Sequence, residues 1–162
     1  MIEIIKVLIW SAVPLLEQRV SIPLGIFVYD LNPFVVFITA FLGSLLPVPF
    51  ILFFFSHIFE WLGKTRLLKW FYDFVDKKVK KGKDKIERYE KWGLILFVAI
   101  PLPTTGLWTG SAVAAFLKMD KKKAFTYVFI GGLISATIIT LICVLLPEFA
   151  DSFFKSPVSP AV

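Results

Sequence analysis

Glu17 and Arg19 are the residues in this chain best placed to do chemistry, because an acid and a base two positions apart interrupt two strongly apolar stretches, 4–16 and 20–29. A charge at bilayer depth costs several kcal/mol unless it is paired or faces a wet cavity, so such residues mark a functional site by default. The guanidinium could hold a phosphate or carboxylate through paired hydrogen bonds. The carboxylate could neutralise Arg19, hold a cation, or carry a proton. A second polar point follows at Pro101-Leu102-Pro103-Thr104-Thr105-Gly106, again between apolar arms. No nucleophile–base pair or metal-ligand set accompanies either point. An enzyme, a metal or another cofactor is therefore not expected. Cys143 is alone in an apolar helix, which excludes an internal disulfide.

The elements that position these residues must be membrane elements. Hydrophobic residues make up 57% of the 162, and phenylalanine alone occurs 18 times. The stretch 4–16 would be roughly 20 Å long as a helix, against a hydrocarbon core about 30 Å thick. An ordinary loop between two spanning helices would leave both helices too short. A re-entrant hairpin over 4–29 fits better, with Glu17-Gln18-Arg19 at its tip. Asn32-Pro33 then opens a full span, 33–59, as cap and first helical residue. Pro47-Val48-Pro49 breaks that span midway. Segment 60–91 is basic and amphipathic, suited to an anionic head-group layer. Its apolar flanks argue against a nucleic-acid partner. A second hairpin covers 92–117, a second span 124–146, and a polar tail 148–162. All of this forms one membrane domain, 1–162, divided into a first repeat over 1–59 and a second over 92–147.

The halves are weakly similar. Ala12-Val13-Pro14-Leu15 corresponds to Ala99-Ile100-Pro101-Leu102, and Gly43-Ser44 to Gly131-Gly132. The order hairpin, span, hairpin, span puts the second half upside down relative to the first. The expected fold is therefore an all-α integral membrane protein, an inverted repeat of re-entrant hairpin plus transmembrane helix, as in many transporters. Segments 60–92 and 118–123 hold 15 of the 18 Lys and Arg. That asymmetry makes segments 60–91 and 118–123 cytoplasmic and both termini external, in the cell membrane. In each hairpin the returning arm begins at the tip, so two helix N-termini converge near Arg19, Thr104, Thr105 and Gly106, a setting that favours an anion. Gly106 and Gly110 flank Trp108 at a spacing that suits close helix packing. Shielding both tips from lipid is expected to require a homodimer.

Glu17-Gln18-Arg19, Ile22-Pro23-Leu24-Gly25, Leu46-Pro47-Val48-Pro49-Phe50 and Pro101-Leu102-Pro103-Thr104-Thr105-Gly106-Leu107-Trp108-Thr109-Gly110 together resemble the small multidrug export protein family over nearly the whole chain. That family is in turn similar to the DedA (VTT) superfamily. The resemblance implies paired hairpins carrying an acid and an arginine, and proton-coupled movement of a lipid carrier. It adds Pro23, Gly25, Pro101, Pro103, Trp108, Thr109 and Gly110 to the site with Glu17, Arg19, Thr104, Thr105 and Gly106. The second tip departs from the DedA pattern, with threonines where those proteins carry further charges. The expected function is secondary transport of an anionic substrate, such as a polyprenyl phosphate, coupled to protons or another ion. Export of cationic drugs through Glu17 is one alternative, and a non-transporting membrane scaffold or regulator is another.

Overall fold

The computed structural model describes residues 1–14, 16–55, 83–102 and 105–148, with the side chains of 83–90 left aside. Expectations for Leu15, for 56–82 including the end of the span expected over 33–59, for Pro103 and Thr104, and for the tail beyond 148 lie outside the described residues. Every regular element among the described residues is helical. In chain order these are α1 (Ile2–Ala12), α2 (Glu17–Pro23), α3 (Pro33–Leu45), α4 (Lys83–Ala99), α5 (Leu107–Phe116) and α6 (Lys121–Leu145). From Leu24 to Val28, α2 widens into one π-helical turn. After a turn at 46–47, α3 resumes over 48–55. Two helices, Pro33–Phe55 and Lys121–Leu145, are long and apolar enough to cross a membrane.

Local chemistry accounts for these boundaries. The Asn32 side chain accepts the Phe34 N–H at 2.9 Å, and Pro33 occupies the first turn, where its missing N–H costs nothing. Asp120 Oδ1 accepts the N–H groups of Lys122 and Lys123 at 3.1 and 3.0 Å, which starts α6 three residues before its apolar run. Pro47 has no N–H to give, so the first span turns there. Ile51 N–H restarts the ladder on the Pro47 carbonyl at 2.9 Å. α5 closes with Met119 N–H on Ala114 O and Lys118 N–H on Ala115 O, Lys118 taking the left-handed position with φ 55°.

Length separates the short arms from the spans. The 11 residues of α1 make roughly 16 Å of helix and the 10 of α5 about 15 Å, neither enough to cross. α4 runs unbroken through 91–92, the expected boundary between linker and second hairpin, because the Lys, Arg and Glu residues that dominate 83–91 are good helix formers and no glycine or proline lies among them.

Small residues set how the helices meet. A Cβ on Gly43 of α3 would lie 2.6 Å from the Leu8 carbonyl of α1, and one on Gly131 of α6 would lie 2.8 Å from the Ile95 carbonyl of α4. α1 thus packs on α3, and α4 on α6, through a glycine set against a helix carbonyl. The second half of α3 meets the start of α6, where Lys121 Nζ lies 4.6 Å from the Phe53 ring centre. Farther along, Phe41 meets Phe129 edge to face at 5.1 Å, so the two spans run antiparallel. One core cluster gathers Val7, Ile22, Val36, Ala136 and Ile139, and the other Val48, Leu94, Val98, Leu107 and Val128. α6 contributes to both. Outside them Phe34, Phe50, Phe53, Phe54 and Leu145 are exposed, an apolar exterior suited to lipid.

Candidate functional site

The start of α5 and the start of α2 meet at one carboxylate. Glu17 Oε2 accepts the Leu107 N–H at 3.1 Å, and Glu17 Oε1 accepts the Trp108 N–H at 2.9 Å. These are two of the four N–H groups that a helix start leaves without an internal partner. The acid at the start of α2 therefore caps the start of α5, with the positive end of the α5 dipole adding to the attraction. Glu17 has φ 45°, the left-handed region that costs an L residue about 1–2 kcal/mol. Two hydrogen bonds to a charged group, each contributing about 1.5–3 kcal/mol, outweigh that cost.

Gly106 makes the approach possible. A Cβ at that position would fall on the Glu17 carboxylate, within 2.7 Å of its carbon. Any side chain there displaces the acid.

Arg19 is held separately. Its Nη2 donates to Thr105 Oγ1 at 3.2 Å. No ion pair joins it to Glu17 among the described residues, where the only salt bridge is the exposed Lys6–Glu3 contact. The Thr105 hydroxyl has one hydrogen, which goes to the Ile100 carbonyl at 2.7 Å. Its oxygen accepts Leu102 N–H at 3.3 Å as well as Arg19. One hydroxyl thus closes the second tip and anchors the arginine of the first. Only one of the five guanidinium N–H groups is engaged by a described residue.

Glu17 and Arg19 are 4% and 9% exposed, yet both border a cleft of about 180 Å³. Thr105, Gly106 and Thr109 supply the rest of its polar edge. Pro14, Trp108 and Ala112 form apolar wall, completed by Ile51 and Phe55 from the part of α3 beyond the proline turn.

Of the expected site residues, the structure brings Glu17, Arg19, Thr105, Gly106, Trp108 and Thr109 to this cleft. It places others in helix packing. Gly25 sits against Val36 and Val7, Gly110 against Val98, and Pro23 is buried at the end of α2. Pro101 is half-buried in the turn that Thr105 closes. The cleft also takes Pro14, Ile51, Phe55 and Ala112, which the sequence reading does not place at the site, and beside it Gln18 Nε2 donates to the Gly132 carbonyl at 3.0 Å. The Pro47–Pro49 break is the available signal for Ile51 and Phe55. Gln18 was hidden by the charges on either side of it.

Residues 17–138 match the family described as "Putative small multi-drug export protein". The chain belongs to that family. The match begins at Glu17 and takes in both tips, the first span, the segment after it and the second span as far as residue 138. No curated protein and no solved structure is significantly similar to the chain.

Proposed function

We propose that the chain is a secondary transporter that moves an anionic amphiphile, of the lipid-linked phosphate class, through the cleft between its two tips. One observation carries this reading: the carboxylate is committed to the α5 start, while the buried guanidinium, bordering a largely apolar cleft, has donors that no described residue engages. A cation at depth without a carboxylate against it suits an anionic head group, and the wall from Ile51, Phe55 and Trp108 suits a chain. Coupling follows from Glu17. Its protonation would release one of the α5 N–H groups and loosen the two tips, so proton binding and tip separation are one event in this scheme.

The topology belongs to the same proposal. Short arms paired with antiparallel spans, and the matched contacts Gly43–Leu8 and Gly131–Ile95 at sequence offsets of 88 and 87, support two inverted hairpin-plus-span repeats. The meeting of Lys121 with Phe53 supports one basic, cytoplasmic end.

The family description favours a second reading, export of cationic drugs at Glu17. That reading requires the substrate to compete with two backbone donors for the carboxylate. Titrating the purified protein with dodecyl phosphate and with dodecyltrimethylammonium, read by tryptophan fluorescence, separates the two. Dodecyl phosphate is expected to bind and Arg19→Gln to weaken it at least tenfold. Binding of the ammonium compound alone, lost in Glu17→Gln and kept in Arg19→Gln, would overturn the anionic reading.

A further inference from the structure

On the face where α2 packs against α6, two buried polar atoms have no protein partner. Gln18 is 1% exposed, and its Nε2 donates to the Gly132 carbonyl. That bond fixes the amide, since the flipped form would set oxygen against oxygen. Gln18 Oε1 is left buried and unpartnered, and so is Oγ of Ser21, three residues on and fully buried. A helical serine or threonine often returns its hydrogen to the carbonyl four residues back, as Ser111 does to Leu107 and Thr137 to Leu133. Ser21 does not.

The register of the seam identifies what lies opposite. Gln18 meets Gly132 at a separation of 114, and the same step carries Ile22 to Ala136 in one core cluster. It therefore sets Ser21 opposite Ser135, which is also buried. Residues three apart on a helix have Cβ atoms about 5–6 Å apart, a gap that one water bridges. Buried waters typically make about three hydrogen bonds to groups otherwise unsatisfied; two such oxygens, Gln18 Oε1 and Ser21 Oγ, lie here, and the register puts the Ser135 hydroxyl across from them. No lipid can take that role. Ser21 also stands one helical turn beyond Glu17 on the same stripe of α2, and α2 leads away from the cleft, with Gly25 against Val36 in the first half of α3.

We propose that the seam between α2 and α6 binds one water on Gln18 Oε1, Ser21 Oγ and Ser135 Oγ, and that this water carries the proton exchange of Glu17 on the side away from the cleft. The relay half of this proposal rests on the transport reading above. A proton leaving Glu17 is taken by the water, which passes another to the Ser21 hydroxyl and on towards bulk water, so the relay itself ends unchanged.

A density map of the full chain in lipid nanodiscs, at a resolution that shows ordered water, tests the site. A peak within hydrogen-bond reach of Gln18 Oε1 and Ser21 Oγ is expected. Ser21→Val fills that space and is expected to lose the peak, keep dodecyl phosphate binding within twofold, and slow proton-driven uptake into vesicles at least tenfold. Ser21→Ala, which adds no bulk, provides the same comparison should the valine variant not fold, with a weaker peak and a smaller slowing. No peak in the unmodified protein, where other buried waters are visible, overturns the site. Unchanged uptake after loss of the peak overturns the relay. Failure of the unmodified protein to bind dodecyl phosphate overturns the transport reading and the relay with it, and the density still decides the water site.

Discussion

The contact between Glu17 and the first N–H groups of α5 is the link on which the candidate site depends, and Gly106 is the residue that permits it. Gly106→Ala places a methyl on the carboxylate. It is expected to destabilise the protein by about 1.5–6 kcal/mol, the cost of losing one to two hydrogen bonds to a charged acceptor. Glu17→Gln should cost less, about 1.5–3 kcal/mol, because an amide accepts from one N–H and turns its own donors towards the other. Thermal unfolding in detergent checks both, and a Gly106→Ala variant as stable as the parent would show that the acid is free to move elsewhere. The sequence made Glu17 and Arg19 legible as a pair, since charge within apolar arms is visible in any window. It could not reveal that the two do not pair with each other. That depends on where the second tip lies, and the α5 N–H groups and the Thr105 hydroxyl that hold the two charges are 86 to 91 residues away.

At the scale of elements, glycines decide which helices approach closely. Gly131→Leu sets a large side chain against the Ile95 carbonyl and Val98, and Gly43→Leu does the same against Leu8 and Ser11. Each is expected to destabilise by at least about 1–3 kcal/mol, the usual range for overpacking. Gly93→Leu meets nothing and is expected to be neutral or slightly stabilising as helix propensity improves. Chemical denaturation of the three variants gives the comparison, and equal effects at Gly93 and Gly131 would contradict the packing described. Helix starts at Asn32 and breaks at Pro47 could be read directly, because cap and proline chemistry are local. The continuity of α4 across 91–92 could not. The charged first half of that helix resembles an independent surface helix, and only the continuous backbone shows it to be the same element as the apolar arm.

For the whole molecule, the expectation of a homodimer rested on shielding two polar tips from lipid. One copy already buries Glu17, Gln18 and Arg19 by closing the tips on each other. Association, where it occurs, is therefore proposed to use the outer apolar surface. Dodecyl phosphate binding per chain should then be the same in nanodiscs loaded with one copy or two, and binding confined to the two-copy discs would show that the site is shared. Topology is tested with single cysteines in a Cys143→Ser background. Positions 64, 83 and 122 should react only from the cytoplasm and positions 3 and 159 only from outside. Labelling of the termini from the cytoplasm would overturn the inverted arrangement.

The most direct test of the central claim is transport by purified protein in sealed vesicles, following a fluorescent alkyl phosphate driven by a pH gradient. Parent protein is compared with Glu17→Gln combined with Arg19→Gln, a change that removes both charges and leaves no buried ion alone. The double variant is expected to stay folded at the assay temperature, though less stable than the parent by at least about 1.5–3 kcal/mol through the lost Glu17 bonds to α5, and to move the phosphate at no more than a tenth of the parent's rate. Equal flux through a stably folded double variant would contradict it.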